Sequence, residues 1–491
     1  MLFRNASWSA VASAYRSGVG LVSAFLAVRL LGAENYGNIA TLISVFALYL
    51  SLISGVFIVL VAKLMASDNT TGTSDKTILF VAANVLTILS VVGILGFALL
   101  LSILAPGFQE SGAISRVFWD YAQSGSFFLG ILTALQIYSA LNSAMIESAG
   151  RLDMAMKSQM LGPTVVLIGL LVLFSTQSQV AVSMYLLLLC AGAATDMLML
   201  WATRRALILE RLSLDRLPQA MKRIPDLLKS GSAIQFSAFM NIFLEPLNKL
   251  TLNHFAGGMA VTSYDLAMKV IWGLQGLFSA VTRVFLHLGS HGADVIVRSY
   301  VRVMTLIAVP ALAAHALGAL LLSFAIHHWV SVEQDQMMAF FGVATLSNLA
   351  MIYITPLYVS LIGKDDRRFL FQNQLRLTIS NIAASLLLIP MFGLIGAAVG
   401  LFCAALYNSA AIYMRFQKVI GPAGNIRHAL AGRLWGFFMA AMLLIASLFL
   451  GATHELNMLA FAAIAGGLFL LVAKEPITEE LSRRLTTGAG R

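Results

Sequence analysis

The sequence predicts an all-α polytopic membrane protein of about 14 transmembrane helices. Three observations carry that expectation. Of the 491 residues, 59% are hydrophobic and only 11% are charged, with a mean hydropathy of +0.86, whereas soluble domains carry about 25% charged residues. Apolar runs long enough to cross about 30 Å of hydrocarbon recur along the whole chain. Lysine and arginine then collect in alternate connections, as they do when one side of a membrane holds the basic loops.

The spans, in order, are 7–31, 38–62, 77–104, 119–147, 158–175, 179–203, 231–256, 260–287, 300–326, 336–361, 374–390, 393–415, 433–451 and 456–473. The first is too long for a signal peptide, carries Arg16 and Arg29, and has no convincing cleavage site. With the N-terminus inside, inner segments, counted with the span ends that border them, hold 26 of the 32 basic residues, outer loops hold only Arg116, and five lie elsewhere within spans. That asymmetry supports an even helix number with both termini cytoplasmic. The net charge of +10 is thereby explained without nucleic acid. Cys190 and Cys403 sit in apolar runs and form no CxxC motif, so neither a disulfide framework nor a thiolate metal site is expected.

The longest inner connection, Arg204 to Lys229, mixes Leu207, Ile208, Leu212, Leu214 and Leu217 with basic residues. It reads as an amphipathic helix on the inner membrane surface, joining two halves. Gly150-Arg151-Leu152-Asp153 echoes Gly363-Lys364-Asp365-Asp366, 213 residues later, as repeated halves would require. The expected organisation is a six-helix lobe (1–203), a cytoplasmic amphipathic linker (204–230), a second six-helix lobe (231–416), and two additional helices with a cytoplasmic tail (417–491).

Catalysis is not expected. The outer connections are short, the longest running from Ala105 to Phe118, and leave little from which to build a general acid–base site. No GxxxxGK[ST] motif is present, and no cofactor or metal is called for. Movement of a substrate fits better.

Ionisable groups inside a bilayer are costly and usually face a bundle interior or an aqueous cavity. The first span carries Ser9, Ser13, Arg16, Ser17, Gly20 and Ala24 on one face; the seventh carries Ser237, Asn241, Glu245 and Asn248; the eighth carries Asp265, Lys269, Trp272, Gly276, Ser279 and Arg283. Small and polar faces of this kind serve either helix packing or a substrate path. Arg16 and Arg283 stand either in a cavity or in structural pairs, or snorkel to an interface. Spans seven and eight form an antiparallel hairpin about Gly257-Gly258. Glu245 and Lys269 are equidistant from Gly257, as are Lys249 and Asp265. The four charges can neutralise one another as two level pairs; alternatively, Glu245 or Asp265 exchanges a coupling ion beside the helix break that Pro246 would cause. Asp196 and Glu147 are weaker candidates, Glu147 being placed to pair with Arg151.

Two segments carry a family resemblance. Arg29-Leu30-Leu31-Gly32-Ala33-Glu34-Asn35-Tyr36-Gly37-Asn38-Ile39-Ala40 resembles the R-x-LG-x-x-x-YG-x-x-A turn of bacterial polysaccharide flippases, within the multidrug, oligosaccharidyl-lipid and polysaccharide exporter superfamily. Gly257 to Lys269 is a looser counterpart, with Ser263 where glycine is usual. The resemblance implies two six-helix lobes around a central cavity lined by helices 1, 2, 7 and 8. It implies arginines on helices 1 and 8 against a diphosphate, which places Arg16 and Arg283, with Lys269 and Asn241, as substrate-binding residues and Glu245 and Asp265 as ion-coupling residues. Multidrug antiporters of the superfamily commonly use an acidic residue in helix 1, where this chain has none.

The expected function is translocation of undecaprenyl-diphosphate-linked oligosaccharide repeat units for surface polysaccharide biosynthesis. The expected partners are that lipid-linked oligosaccharide, membrane lipids, and the polymerase and glycosyltransferases of the same synthesis. Two alternatives stand beside it: a drug or cation antiporter, and a non-transporting scaffold for glycan-synthesis enzymes.

Overall fold

The computed structural model describes residues 2–70, 73–109, 116–149, 151–176, 179–207, 214–282, 293–330, 332–364 and 366–420. Among them there are helices and connections and no β-strand. Within hydrocarbon a helix satisfies every backbone polar group inside its own segment, and the apolar runs fold accordingly. The helices are α1 (Leu2–Leu31), α2 (Ala33–Thr70), α3 (Thr73–Gln109), α4 (Arg116–Ser148), α5 (Leu152–Ser158), α6 (Leu161–Thr176), α7 (Val182–Leu207), α8 (Leu217–Thr282), α9 (Ala293–Trp329), α10 (Gln334–Gly363) and α11 (Arg367–Ile420).

Two of these are pairs of helical arms. α8 is interrupted at Gly257 (φ 80°) and α11 at Gly393 (φ 56°). At Gly257 an L side chain would be strained by this left-handed geometry, which glycine adopts readily. Each of the first twelve expected spans overlaps a helix or an arm; 433–451 and 456–473 lie outside the described residues. Nine segments among the described residues are long and apolar enough to cross a membrane. Arg368–Val419 counts once among them although Gly393 divides it, and α8, with its charges, is not among them. The chain is a multi-pass membrane protein.

The chain forms two compact units. One comprises Met1–Lys269, Trp329–Val332 and Gln374–Leu394; the other comprises Val270–His328, Glu333–Asn373 and the chain from Ile395. In the first, α4 is largely buried and packs on α2, α3 and α7, while α6 packs on α7 and α1. α3 instead exposes Ile88, Val92, Leu99 and Ile103 along one face, the stripe a lipid-facing helix presents. Its buried polar side chains are satisfied locally: Asn84, Thr87 and Ser90 donate to the carbonyls of Phe80, Ala83 and Leu86. In the second unit, Ile296, Tyr300 and Met304 of α9 pack with Leu349, Leu357 and Leu361 of α10 and Ile412 and Phe416 of α11. The Tyr300 hydroxyl donates to the Tyr353 carbonyl at 3.1 Å.

Candidate functional site

The arms of α8 fold back on each other. Asn248 Nδ2 lies 3.4 Å from the Tyr264 hydroxyl and Lys249 Nζ lies 2.6 Å from Asp265 Oδ1. Sixteen residues of continuous helix would span about 24 Å, so only the reversal at Gly257 brings these groups together. Lys249 also donates to Glu245 Oε1 at 2.6 Å, one turn away on its own arm. Lys269 donates to Asp265 Oδ2 and, at 3.1 Å, to the Tyr36 hydroxyl, which itself donates to Asp265 Oδ2 at 2.7 Å.

The Lys249–Asp265 pair is therefore as the hairpin spacing predicts, and the expected Glu245–Lys269 pair is not formed. Asp265 offers two carboxylate oxygens and each lysine takes one; Glu245 reaches Lys249 along its own helix instead. Two acids and two bases leave the cluster neutral. Its centre is buried, with Lys249 and Asp265 side chains 3% and 2% exposed, whereas Glu245 and Lys269 are 27% and 34% exposed. Tyr36 is the member that charge pairing alone could not reveal. The signal for it lay in the two resembling segments, which place Tyr36 and Asp265 in matching turns.

Those two segments touch. α1 ends at Leu31, Gly32 (φ 83°) makes the turn, α2 begins at Ala33, and the turn lies against the Gly257 reversal. Thr262 Oγ1 donates to the Ala33 carbonyl and Asn253 Nδ2 donates to Asn38 Oδ1 at 2.8 Å. A methyl at Gly37 would stand 1.9 Å from the Gly258 carbonyl oxygen and 2.7 Å from its carbon. Backbone cannot rotate out of the way as a side chain can. Gly37→Ala is expected to force the turns apart and to lower the melting temperature of the purified protein. Gly20→Ala, where an added carbon meets nothing within 4 Å, should leave it unchanged or raise it.

Arg16 occupies a second polar group in the same unit. It is half-buried on α1, and its Nη1 donates to Gln159 Oε1 at 2.8 Å, in the short connection between α5 and α6. Gln159 Nε2 donates to Ser143 Oγ at 2.9 Å, and Ser143 donates to Glu147 Oε1 at 2.9 Å on α4. Beside it, the Tyr15 hydroxyl and Thr164 Oγ1 are 2.6 Å apart. Glu147 thus ends a side-chain relay rather than pairing with Arg151, which lies 3.5 Å from Asp153. Asp196 Oδ1 accepts the Gly162 backbone N–H at 2.7 Å, capping the first turn of α6, where orphan amides and the helix dipole favour a carboxylate. Among the described residues no carboxylate forms an ion pair with Arg16, although the Asp196 charge acts on it.

Of the remaining expected site residues, Asn241 lies on α8 but its side chain is outside the described residues, as is Arg283 altogether. In the second unit, Asp366 accepts Arg415 Nε and Nη2 at 2.6 and 3.1 Å. Sequence reasoning missed His315. It is fully buried between α9 and α10, with Nδ1 2.7 Å from the Ala311 carbonyl and Nε2 3.0 Å from Asn348 Nδ2. Asn348 also donates to the Ile271 carbonyl at 3.3 Å, which makes this trio a structural pin. Among the described residues no group of three His, Cys, Asp or Glu could hold a metal ion.

No family profile matches the chain, and no curated protein matches it by sequence. Solved structures do match. The chain is similar to the lipid II flippase MurJ in an inward closed conformation, at 13% identity with 96% of this chain and 99% of that one covered and a TM-score of 0.70. It is similar to an inward-facing multidrug resistance MATE family transporter of the MOP superfamily, at 13% identity, 82% and 95% coverage and a TM-score of 0.67. A MOP superfamily transporter from Pyrococcus furiosus matches at 14% identity, 84% and 95% coverage and a TM-score of 0.52. At these identities the likeness is one of fold: the chain has the all-helical fold of MOP-superfamily transporters.

Proposed function

We propose that the protein is a flippase for an undecaprenyl-diphosphate-linked oligosaccharide, moving it from the inner to the outer leaflet of a bacterial cytoplasmic membrane by alternating access. The observation that carries this reading is the charge of α1. Its only formally charged residue deep in the span is Arg16, and that guanidinium contacts a neutral amide rather than a carboxylate. A half-buried cation so held favours an anionic ligand, and a planar guanidinium matches the paired oxygens of a diphosphate. The MurJ likeness gives a lipid-linked precedent for the fold. Lysine and arginine placement supports cytoplasmic termini, and the two six-helix lobes, 1–203 and 231–416, belong to the same reading. Asn241 and Lys269 would extend the binding surface from α8, and Arg283, outside the described residues, is proposed as substrate-binding from the family resemblance alone.

In this reading the interlocked turns and the Tyr36–Asp265–Lys249 cluster close the outer end of the path and part when the substrate leaves. Glu245 and Asp265 then serve that closure; the ion-coupling role proposed for them is weakened by the lysines already bound to both carboxylates. A drug or cation antiporter remains the second reading. The specific observation in its favour is that the Asp196 charge acts on Arg16 and that Glu147 ends the hydrogen-bond relay from it, together with the MATE likeness.

Asn38 and Asn253, in contact at 2.8 Å, provide the test of closure. With Cys190 and Cys403 replaced, a thiol cross-linker joining Asn38→Cys to Asn253→Cys should stop surface-glycan export, and a reducible linker should restore it on reduction. Export undiminished by complete cross-linking would contradict alternating access and favour the scaffold.

A further inference from the structure

We infer that Gln159 is a positioning residue that presents Arg16 to the substrate diphosphate with its charge uncancelled. The inference rests on the flippase reading and adds to it the group that sets the strength of the anion site.

The chemistry at both ends of the relay fixes the orientation of the amide. Arginine only donates, so Gln159 must turn Oε1 to Arg16, and at 2.8 Å it does. Nε2, which only donates, then faces Ser143 Oγ, and the Ser143 hydroxyl in turn donates its hydrogen bond to the Glu147 carboxylate. The Gln159 backbone is fixed as well, since its N–H donates to the Ala155 carbonyl at 3.1 Å to close α5. The result is a rigid neutral acceptor that takes one of five guanidinium N–H groups. A carboxylate in the same place would hold Arg16 equally well and neutralise it. Glu147, the acid at the end of the relay, is kept three hydrogen bonds away from Arg16. Asp196, whose charge also acts on Arg16, is held by the Gly162 N–H instead of bonding the guanidinium; the arrangement orients the cation without a carboxylate bonded to it.

The discriminating substitution is Gln159→Glu, which preserves shape and the contact with Arg16 but adds the missing charge. Purified full-length protein in nanodiscs would be titrated with undecaprenyl diphosphate, with undecaprenol as the uncharged control. Gln159→Glu is expected to weaken undecaprenyl diphosphate binding about tenfold or more, because the bound anion now competes with an internal carboxylate. Gln159→Ala should lose only about threefold, since the charge stays and only its orientation relaxes. Neither should alter undecaprenol binding. A purely structural role predicts the opposite order, with Glu better tolerated than Ala, and that order would overturn the inference. If Gln159→Glu does not accumulate, a double-mutant cycle decides: the effect of Gln159→Ala should vanish in an Arg16→Ala background, and its persistence would contradict action through Arg16. Should Arg16→Ala bind undecaprenyl diphosphate as the wild type does, the flippase reading fails and takes this inference with it. Loss on Arg16→Ala with no loss on Gln159→Glu would sink the positioning role alone.

Discussion

Lys249→Met should collapse the stability of the protein. The ammonium is the hub of the buried cluster, bonded at 2.6 Å to both Glu245 and Asp265. Removing one partner of a buried, hydrogen-bonded ion pair costs about 3–5 kcal/mol, because the other charge is left without compensation. Here the remaining groups would carry a net negative charge, with Asp265 nearly inaccessible to water. The purified variant is expected to melt well below wild type, or to fail to accumulate in the membrane. The double change Lys249→Met, Glu245→Gln should recover much of the loss, since it leaves Asp265 balanced by Lys269 and Tyr36. Wild-type melting of the single variant would show that the cluster contributes nothing to holding the two arms of α8 together.

Arg16→Ala carries the largest expected effect on function. The contact it loses is a single hydrogen bond to Gln159 at a half-buried position, so the protein should still reach the membrane. What disappears is the mid-span cation of α1. Export of surface polysaccharide in a deletion strain should be abolished at normal membrane levels, and Arg16→Lys should restore part of it, as a point charge lacking the bidentate fork. Full complementation by Arg16→Ala would remove Arg16 from the substrate path.

The sequence was most legible where one physical rule dominated. Span length and apolar content located the first twelve helical segments, and Gly257 announced the reversal of α8. Equal distance from that glycine also found the Lys249–Asp265 pair. The same rule failed for Glu245 and Lys269 because it ranks partners by depth alone. It ignores that a carboxylate can serve two ammonium groups and that an i, i+4 neighbour on the same helix is available. Tyr36 escaped because a phenol has no formal charge to balance, although its segment matched the one holding Asp265. Gln159, in a short connection, and His315, one of eight scattered histidines, gave no periodic signal. Their roles exist only through partners 143 and 33 residues away.

The most direct measurement is lipid flipping by the purified protein in proteoliposomes. A fluorescent oligosaccharide on undecaprenyl diphosphate would be loaded in both leaflets and quenched from outside with a membrane-impermeant reductant. Wild type should expose the protected inner pool to quenching, Arg16→Ala should not, and an organic cation such as ethidium should not be moved by either. Transport of the cation by wild type, with the labelled lipid left in place, would contradict the flippase reading and establish the antiporter instead.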